Sequence, residues 1–192
     1  MTQTPHRALS RLSIALAVPA ALVAAATFVS SQPARAALAV GARAPDFTTK
    51  GAEDGKPFDF SLKAALKKGP VVLYFYPKAF TKGCTLEAHA FSEAIDDFRK
   101  AGATVVGMSA DDLPTLQKFS TEECRSKFPV AIASKDIIKA YDVSLSMAGI
   151  PMGGLTSRTS YVIGRDGTVK LAYTNMDWRD HVKLTLAAVQ GK

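Results

Sequence analysis

Beyond residue 37, apolar residues fall into short unbroken runs that alternate with stripes at helical spacing. Val71-Val72-Leu73-Tyr74-Phe75-Tyr76 shows no polar alternation, so it reads as a strand buried on both faces. Thr104–Ser109 is a second such run, and Val130–Ala133 a short third one. Thr159–Gly164 and Thr168–Tyr173 flank Arg165-Asp166-Gly167, a hairpin signal. Helical patterns fill the gaps. Ser61 caps Leu62–Lys68, which stops at Gly69-Pro70. A long helix spans Cys84–Lys100 and ends at Gly102, a residue suited to the left-handed C′ position. Asp111 or Asp112 caps a helix from Leu113 towards Lys127, with Pro114 tolerated in its first turn. Asp136–Tyr141 and Trp178–Val189 complete the set. Strand–helix–strand–helix followed by a hairpin and a closing helix predicts an α/β sandwich around a mixed sheet.

The order fits a thioredoxin-like fold with a mixed central sheet flanked by helices and extra N-terminal elements. At roughly 100° per residue, Cys84, Ala88, Phe91, Ile95 and Phe98 share one stripe of their helix, with Glu93, Asp96 and Lys100 opposite. Cys84 therefore opens the buried stripe where a strand gives way to a helix N-terminus. Unpaired backbone N–H groups and the positive end of the helix dipole favour thiolate there, and the thiolate is the reactive species. Tyr76-Pro77-Lys78-Ala79-Phe80-Thr81-Lys82-Gly83 leads into it, with turn and hydrogen-bonding residues that a plain core cysteine does not need. His89 falls about 140° away on the same wheel, so it reads as a surface histidine and not as a base for Cys84.

The first residues add a compartment. Arg7 and Arg11 precede a largely apolar, Ala-rich stretch from Ile14 to Val29, and Ala34-Arg35-Ala36 is an A-x-A site. This is the layout of a secretory signal peptide. It is short and broken by Pro19, whereas a spanning helix needs ~20 apolar residues. We therefore expect a cleaved leader at 1–36 and one domain at 37–192, exported to the periplasm, with no stable membrane association. Losing the three leader arginines lowers the net charge from +7 to +4. The remaining basic residues are scattered, which argues against nucleic-acid binding. Two cysteines, Cys84 and Cys124, enter an oxidising compartment, where a paired or cycling disulfide is the ordinary expectation. Two cysteines and two mature histidines show no metal-ligand spacing.

Pro77-x-x-x-Thr81-x-x-Cys84 resembles the active-site pattern of peroxiredoxins, thiol peroxidases built on the thioredoxin fold. Gly41-Ala42-Arg43-Ala44-Pro45-Asp46-Phe47 is similar to the family's opening segment, and Val71–Tyr76 to its central strand. Arg158-Thr159-Ser160-Tyr161-Val162-Ile163 with Asp166-Gly167 resembles the strand led by its active-site arginine. The match runs over about residues 40–189, most like the bacterioferritin comigratory protein (PrxQ) branch. The resemblance implies Cys84 as peroxidatic nucleophile, Thr81 as the hydroxyl bonding thiolate and peroxide, Pro77 as a shield against water, and Arg158 as the cation stabilising developing charge. It implies a peroxide substrate, a thioredoxin-like or other dithiol reductant, no metal, haem or flavin cofactor, and a monomer or dimer. Many members of the branch carry a second cysteine five residues after the first, where this chain has His89. Cys124, towards the end of the next helix and on the edge of its apolar stripe, is then the expected resolving cysteine.

Two alternatives stay open at this point. A thiol–disulfide oxidoreductase on the same fold would want Cys-x-x-Cys, whereas Thr85-Leu86-Glu87 follows Cys84. A non-enzymatic domain stapled by a structural Cys84–Cys124 disulfide would show no peroxide reactivity.

Overall fold

The computed structural model describes residues 1–2 and 38–192. The expected leader's apolar run and its Ala34–Ala36 processing site lie outside the described residues. The chain opens with strands β1 (Thr48–Glu53) and β2 (Lys56–Ser61), helix α1 (Leu62–Lys68) and strand β3 (Val71–Phe75). Helix α2 (Lys82–Lys100), strand β4 (Thr104–Ser109), helix α3 (Leu113–Glu122), strand β5 (Val130–Ile132) and helix α4 (Lys135–Ala140) follow. Strands β6 (Ser144–Met147), β7 (Ile150–Thr156), β8 (Thr159–Ile163) and β9 (Val169–Thr174) precede helix α5 (His181–Val189).

Seven strands form one sheet in the order β2-β1-β5-β4-β3-β8-β9, and β6 and β7 pair separately. The neighbours β3–β4 and β4–β5 are parallel, while β3–β8, β8–β9, β1–β5 and β1–β2 are antiparallel. The sheet is mixed, as the run order implies. All five residues of β3 are buried, which is why that stretch carries no polar alternation. Its side chains alternate between two cores. Val72, Tyr74 and Tyr76 pack with Phe91, Phe98, Phe119 and Phe128 under α2, α3 and α5. Val71, Leu73 and Phe75 pack with Leu62, Ile137, Ile138 and Tyr161 under α1 and α4.

Helix α2 presents the expected stripe, with Cys84, Ala88, Phe91, Ile95 and Phe98 all buried. Its ring stack of Phe91 on Tyr74, 4.3 Å between centroids, ties the helix to the middle of β3. It ends as expected at Gly102, whose φ of 71° lets Ala103 N–H reach the Phe98 carbonyl at 2.9 Å.

Two local expectations need correction. The helix begun at Leu113 stops at Glu122, not near Lys127. Arg125 and Ser126 both adopt positive φ there, and the Ser126 N–H turns back to the Ser120 carbonyl. Non-glycine residues rarely hold this conformation, so no sequence signal marked the stop. Tertiary bonds hold the turn instead: Arg99 donates to the Lys127 carbonyl and Lys127 Nζ to the Ser92 carbonyl. The closing helix starts at His181 and not Trp178, because Asn175 and Asp177 side chains fold that stretch into turns. The extra front elements are a β1–β2 hairpin turned at Asp54-Gly55, both at positive φ, a two-residue signal legible in the sequence.

Candidate active site

Antiparallel pairing of β3 with β8 sets Phe75 opposite Thr159, so the end of β3 and the start of β8 share one edge of the sheet. The chain leaves β3 through residues 76–81 and enters α2; Arg158 stands immediately before β8. These two connections meet over the first turn of α2. Cys84, the third residue of that helix, is 1% exposed, and Arg158 is 4% exposed. Arg158 Nη2 donates to Cys84 Sγ at 3.4 Å.

The guanidinium is held from two other sides. Its Nε donates to the Met176 carbonyl at 3.1 Å, and its Nη1 donates to Glu87 Oε2 in a close hydrogen bond. Glu87 lies one turn after Cys84 on the buried stripe and is wholly buried. Burial pushes its carboxyl up to about 8 against the opposing pull of Arg158, because desolvation disfavours the charged form. Glu87 Oε1 makes no hydrogen bond and points towards His181 Nδ1, 3.8 Å away. Burial lowers the pKa of the His181 ring, which favours its neutral form. Its Nε2 meets the Asn175 carbonyl at 2.9 Å and must donate, so Nδ1 accepts from Ser160 Oγ at 2.8 Å. Arginine can approach Cys84 this closely because residue 83 is glycine. A Cβ there would lie 3.2 Å from Arg158 Nη2.

Of the five residues expected at the site, the fold brings Cys84 and Arg158 into contact. Pro77 and Thr81 stand on the loop leading into α2, Pro77 half-buried and Thr81 exposed at the N-cap. The Thr81 hydroxyl donates to the Lys78 carbonyl at 2.9 Å and not to Cys84. Cys124 is fully buried, not at the edge of an apolar stripe, because it lies beyond the early end of α3. Its N–H bonds the Phe119 carbonyl and its carbonyl accepts from Ser92 Oγ at 2.9 Å. Burial, reinforced by the Glu123 charge, pushes its thiol well up. His89 is half-buried and not a plain surface residue: its Nε2 meets Glu123 Oε2 at 2.7 Å, beside Cys124. Both cysteines are free thiols.

Glu87 and His181 were not foreseen. Glu87 carried a signal, since it is a carboxylate set on an otherwise apolar stripe three residues after the cysteine. His181 carried none, because its partner Ser160 lies on a different strand. Among the described residues, no group of three or more His, Cys, Asp or Glu side chains is arranged to hold a metal ion.

A buried thiol at a helix start, touching an anchored guanidinium, can act as a nucleophile towards a polarisable bond whose leaving group gains negative charge. Comparison with known proteins gives this geometry its relatives. Residues 40–172 match the AhpC/TSA family. The chain is 36% identical over 154 residues to the chloroplastic peroxiredoxin Q of Suaeda salsa, covering 78% of this chain and 67% of that one. It is 41% identical over 135 residues to the Arabidopsis thaliana protein of the same name, covering 70% and 59%. The chain thus spans about two thirds or less of these curated relatives' length. Among solved structures it superposes on peroxidoxin BcpB from Mycobacterium tuberculosis with a TM-score of 0.67 at 30% identity, covering 79% of this chain and 96% of that one. On Xanthomonas campestris peroxiredoxin Q the TM-score is 0.64 at 28% identity, covering 74% and 89%.

Proposed function

The chain belongs to the AhpC/TSA family, in its peroxiredoxin Q branch, and from that premise we propose that it is a thiol-dependent peroxidase with Cys84 as nucleophile. The observation that carries this reading is the 3.4 Å contact between Cys84 Sγ and the Arg158 guanidinium, which is anchored from two other sides. Cys84 thiolate attacks the distal peroxide oxygen; the O–O bond breaks, and the departing oxygen takes a proton to leave as water or alcohol. Cys84 becomes a sulfenic acid. Negative charge grows on the leaving oxygen in the transition state, where a fixed guanidinium is worth most. Pro77 limits water at the thiol, and Thr81 offers a hydroxyl once it turns from the Lys78 carbonyl.

Recycling runs through Cys124. Its thiol condenses with the Cys84 sulfenic acid, forming an S–S bond and releasing water, and an external thioredoxin-like dithiol reduces the product. Cys124 is a poor nucleophile where it lies, since burial holds it as a thiol. The bond therefore needs local opening of one of the two segments, which also brings the thiol into water. The leader at 1–36 makes the mature enzyme an exported, periplasmic one. N-terminal sequencing of the protein from fractionated cells tests that step: Ala37 as first residue supports it, and a retained Met1 overturns it.

Stopped-flow measurement of peroxide loss tests the nucleophile. Cys84→Ser should abolish stoichiometric consumption while leaving the circular dichroism unchanged, and an unaltered rate in that variant would remove Cys84 from the role.

A further inference from the structure

Four cationic side chains line one cavity of about 430 Å³ beside the turn that joins β8 to β9. Arg43 comes from the segment before β1, Lys63 and Lys67 from α1, and Arg165 from the turn itself. Arg158 stands immediately before β8 and Arg165 lies beyond its far end. The length of that strand, roughly 17 Å at five residues, therefore separates this cavity from the Cys84 site. No residue lining it belongs to the candidate active site.

The cations are positioned but not neutralised. The backbone on both sides of Arg43 is pinned: Ala44 N–H donates to the Gly167 carbonyl and Val169 N–H to the Ala42 carbonyl, each at 2.9 Å. The Arg43 guanidinium lies over Gly167, where a Cβ would stand 3.6 Å from Nη2. Arg165 Nη2 donates to the Lys67 carbonyl at 3.0 Å, which fixes the second guanidinium against the end of α1. Among the described residues, none of the four cations is in an ion pair. The two carboxylates in the wall are already engaged. Asp166 accepts from Lys170 Nζ and Thr168 Oγ, both at 2.8 Å, and Asp46 accepts the Lys63 N–H at 3.1 Å. The wall keeps a net charge of +2. Helix electrostatics explain only part of it. Lys67 and Arg165 suit the negative C-terminal end of α1. Lys63 stands in the first turn, where the dipole disfavours a cation, and no acidic residue in that turn offsets it.

We propose that this cavity is a binding site for a phosphate group, with Arg43 and Arg165 as its anchors and Lys63 and Lys67 completing the charge. Guanidinium forks pair with two oxygens of a phosphate at once, while ammonium groups add point charge without fixed geometry. Leu62 and Leu66 line the same cavity, so apolar surface borders the charged wall and accommodates the organic part of a phosphate ester. That ester is a phospholipid headgroup or a small soluble molecule, and the chemistry that recognises it is the same. The site goes beyond the peroxidase reading and does not depend on it.

Isothermal titration of the purified protein with inorganic phosphate tests the site. Binding should saturate with a Kd of about 1 mM or tighter. Arg43→Ala and Arg165→Ala should each weaken it roughly tenfold or more, the scale of losing one charge-assisted bond. Arg165→Lys keeps the charge without the fork and should restore binding only in part. Lys118→Ala removes an exposed charge from α3, outside the cavity, and should leave binding unchanged. Lys63→Gln, at an exposed helix position, serves if an alanine variant does not fold. Flotation with vesicles separates the two sources. Capture by vesicles containing phosphatidylglycerol, but not by phosphatidylcholine alone, with release by added phosphate, supports the site with a headgroup as its ligand. Phosphate binding without capture supports it with a soluble ester. An absence of saturable phosphate binding overturns the site, and so does an equal loss in Lys118→Ala, which would mean diffuse surface attraction. Peroxide consumption by the same samples reads the role of Cys84 separately, since no cavity residue takes part in the Cys84–Arg158 contact.

Discussion

Arg158 has two anchored nitrogens and a third on the reacting sulfur, so its loss removes a positioned cation and not merely a charge. Arg158→Ala should slow oxidation of Cys84 by roughly 100-fold, the scale of losing one oxyanion donor. Stopped-flow oxidation at single turnover checks this, and a change below about threefold would take Arg158 out of the site. Glu87 makes a second prediction through pH. Burial pushes its folded carboxyl up to about 8, above its unfolded value, so the protonated form is the one folding favours. Stability from this group is complete below the unfolded pKa, falls as pH rises, and is lost once pH passes about 8. The slope is at most about 1.4 kcal/mol per pH unit. Glu87→Gln keeps the shape without the ionisation, so urea melts should show the parent losing ground to it between pH 5 and 9. A constant difference across that range would mean the carboxyl is ionised throughout. At this scale Cys84 was legible through its setting at a helix start, and Arg158 only through the family resemblance. The sequence hid the coupling of Glu87 to His181, because burial of a polar network depends on which strands become neighbours.

Helix α2 serves as both core wall and active-site platform, and its two jobs separate by position. Phe91 anchors the wall: Phe91→Ala should cost ~3–5 kcal/mol of stability, read by chemical denaturation, with Cys84 still reactive in the folded fraction. Gly83 serves the platform. A methyl group there would stand 3.2 Å from Arg158 Nη2, which has little room to yield given its other bonds. Gly83→Ala should therefore slow peroxide reaction several-fold while leaving the melting temperature nearly unchanged. A fall in melting temperature at an unaltered rate would reverse that assignment. Amphipathic stripes made the helices legible, and unbroken apolar runs made β3, β4 and β8 legible. The early end of α3 escaped notice because Arg125 and Ser126 stop it by tertiary restraint, where a glycine would have announced itself. The β6–β7 hairpin escaped too, since its exposed Met147, Ile150 and Met152 mimic a core pattern.

Across the described part of the molecule, two cores lie on opposite faces of a seven-stranded sheet, and the one under α2, α3 and α5 holds both Cys84 and Cys124 out of water. Both cysteines are free thiols in this fold, and in the proposed cycle a disulfide between them is a step and not a staple. Cys124→Ser should keep the first oxidation at its parental rate, lose turnover with a thioredoxin-like donor, and accumulate sulfinic acid at Cys84. Turnover at the parental rate would make Cys124 a spectator. What one equivalent of peroxide does to the protein decides the role of Cys84. Intact and peptide mass spectrometry, quenched at successive times after adding hydrogen peroxide, follows each cysteine directly. Cys84 should appear first as a sulfenic acid and then in a disulfide with Cys124 inside the same chain. A Cys84 left as an unmodified thiol while peroxide persists in solution would contradict it.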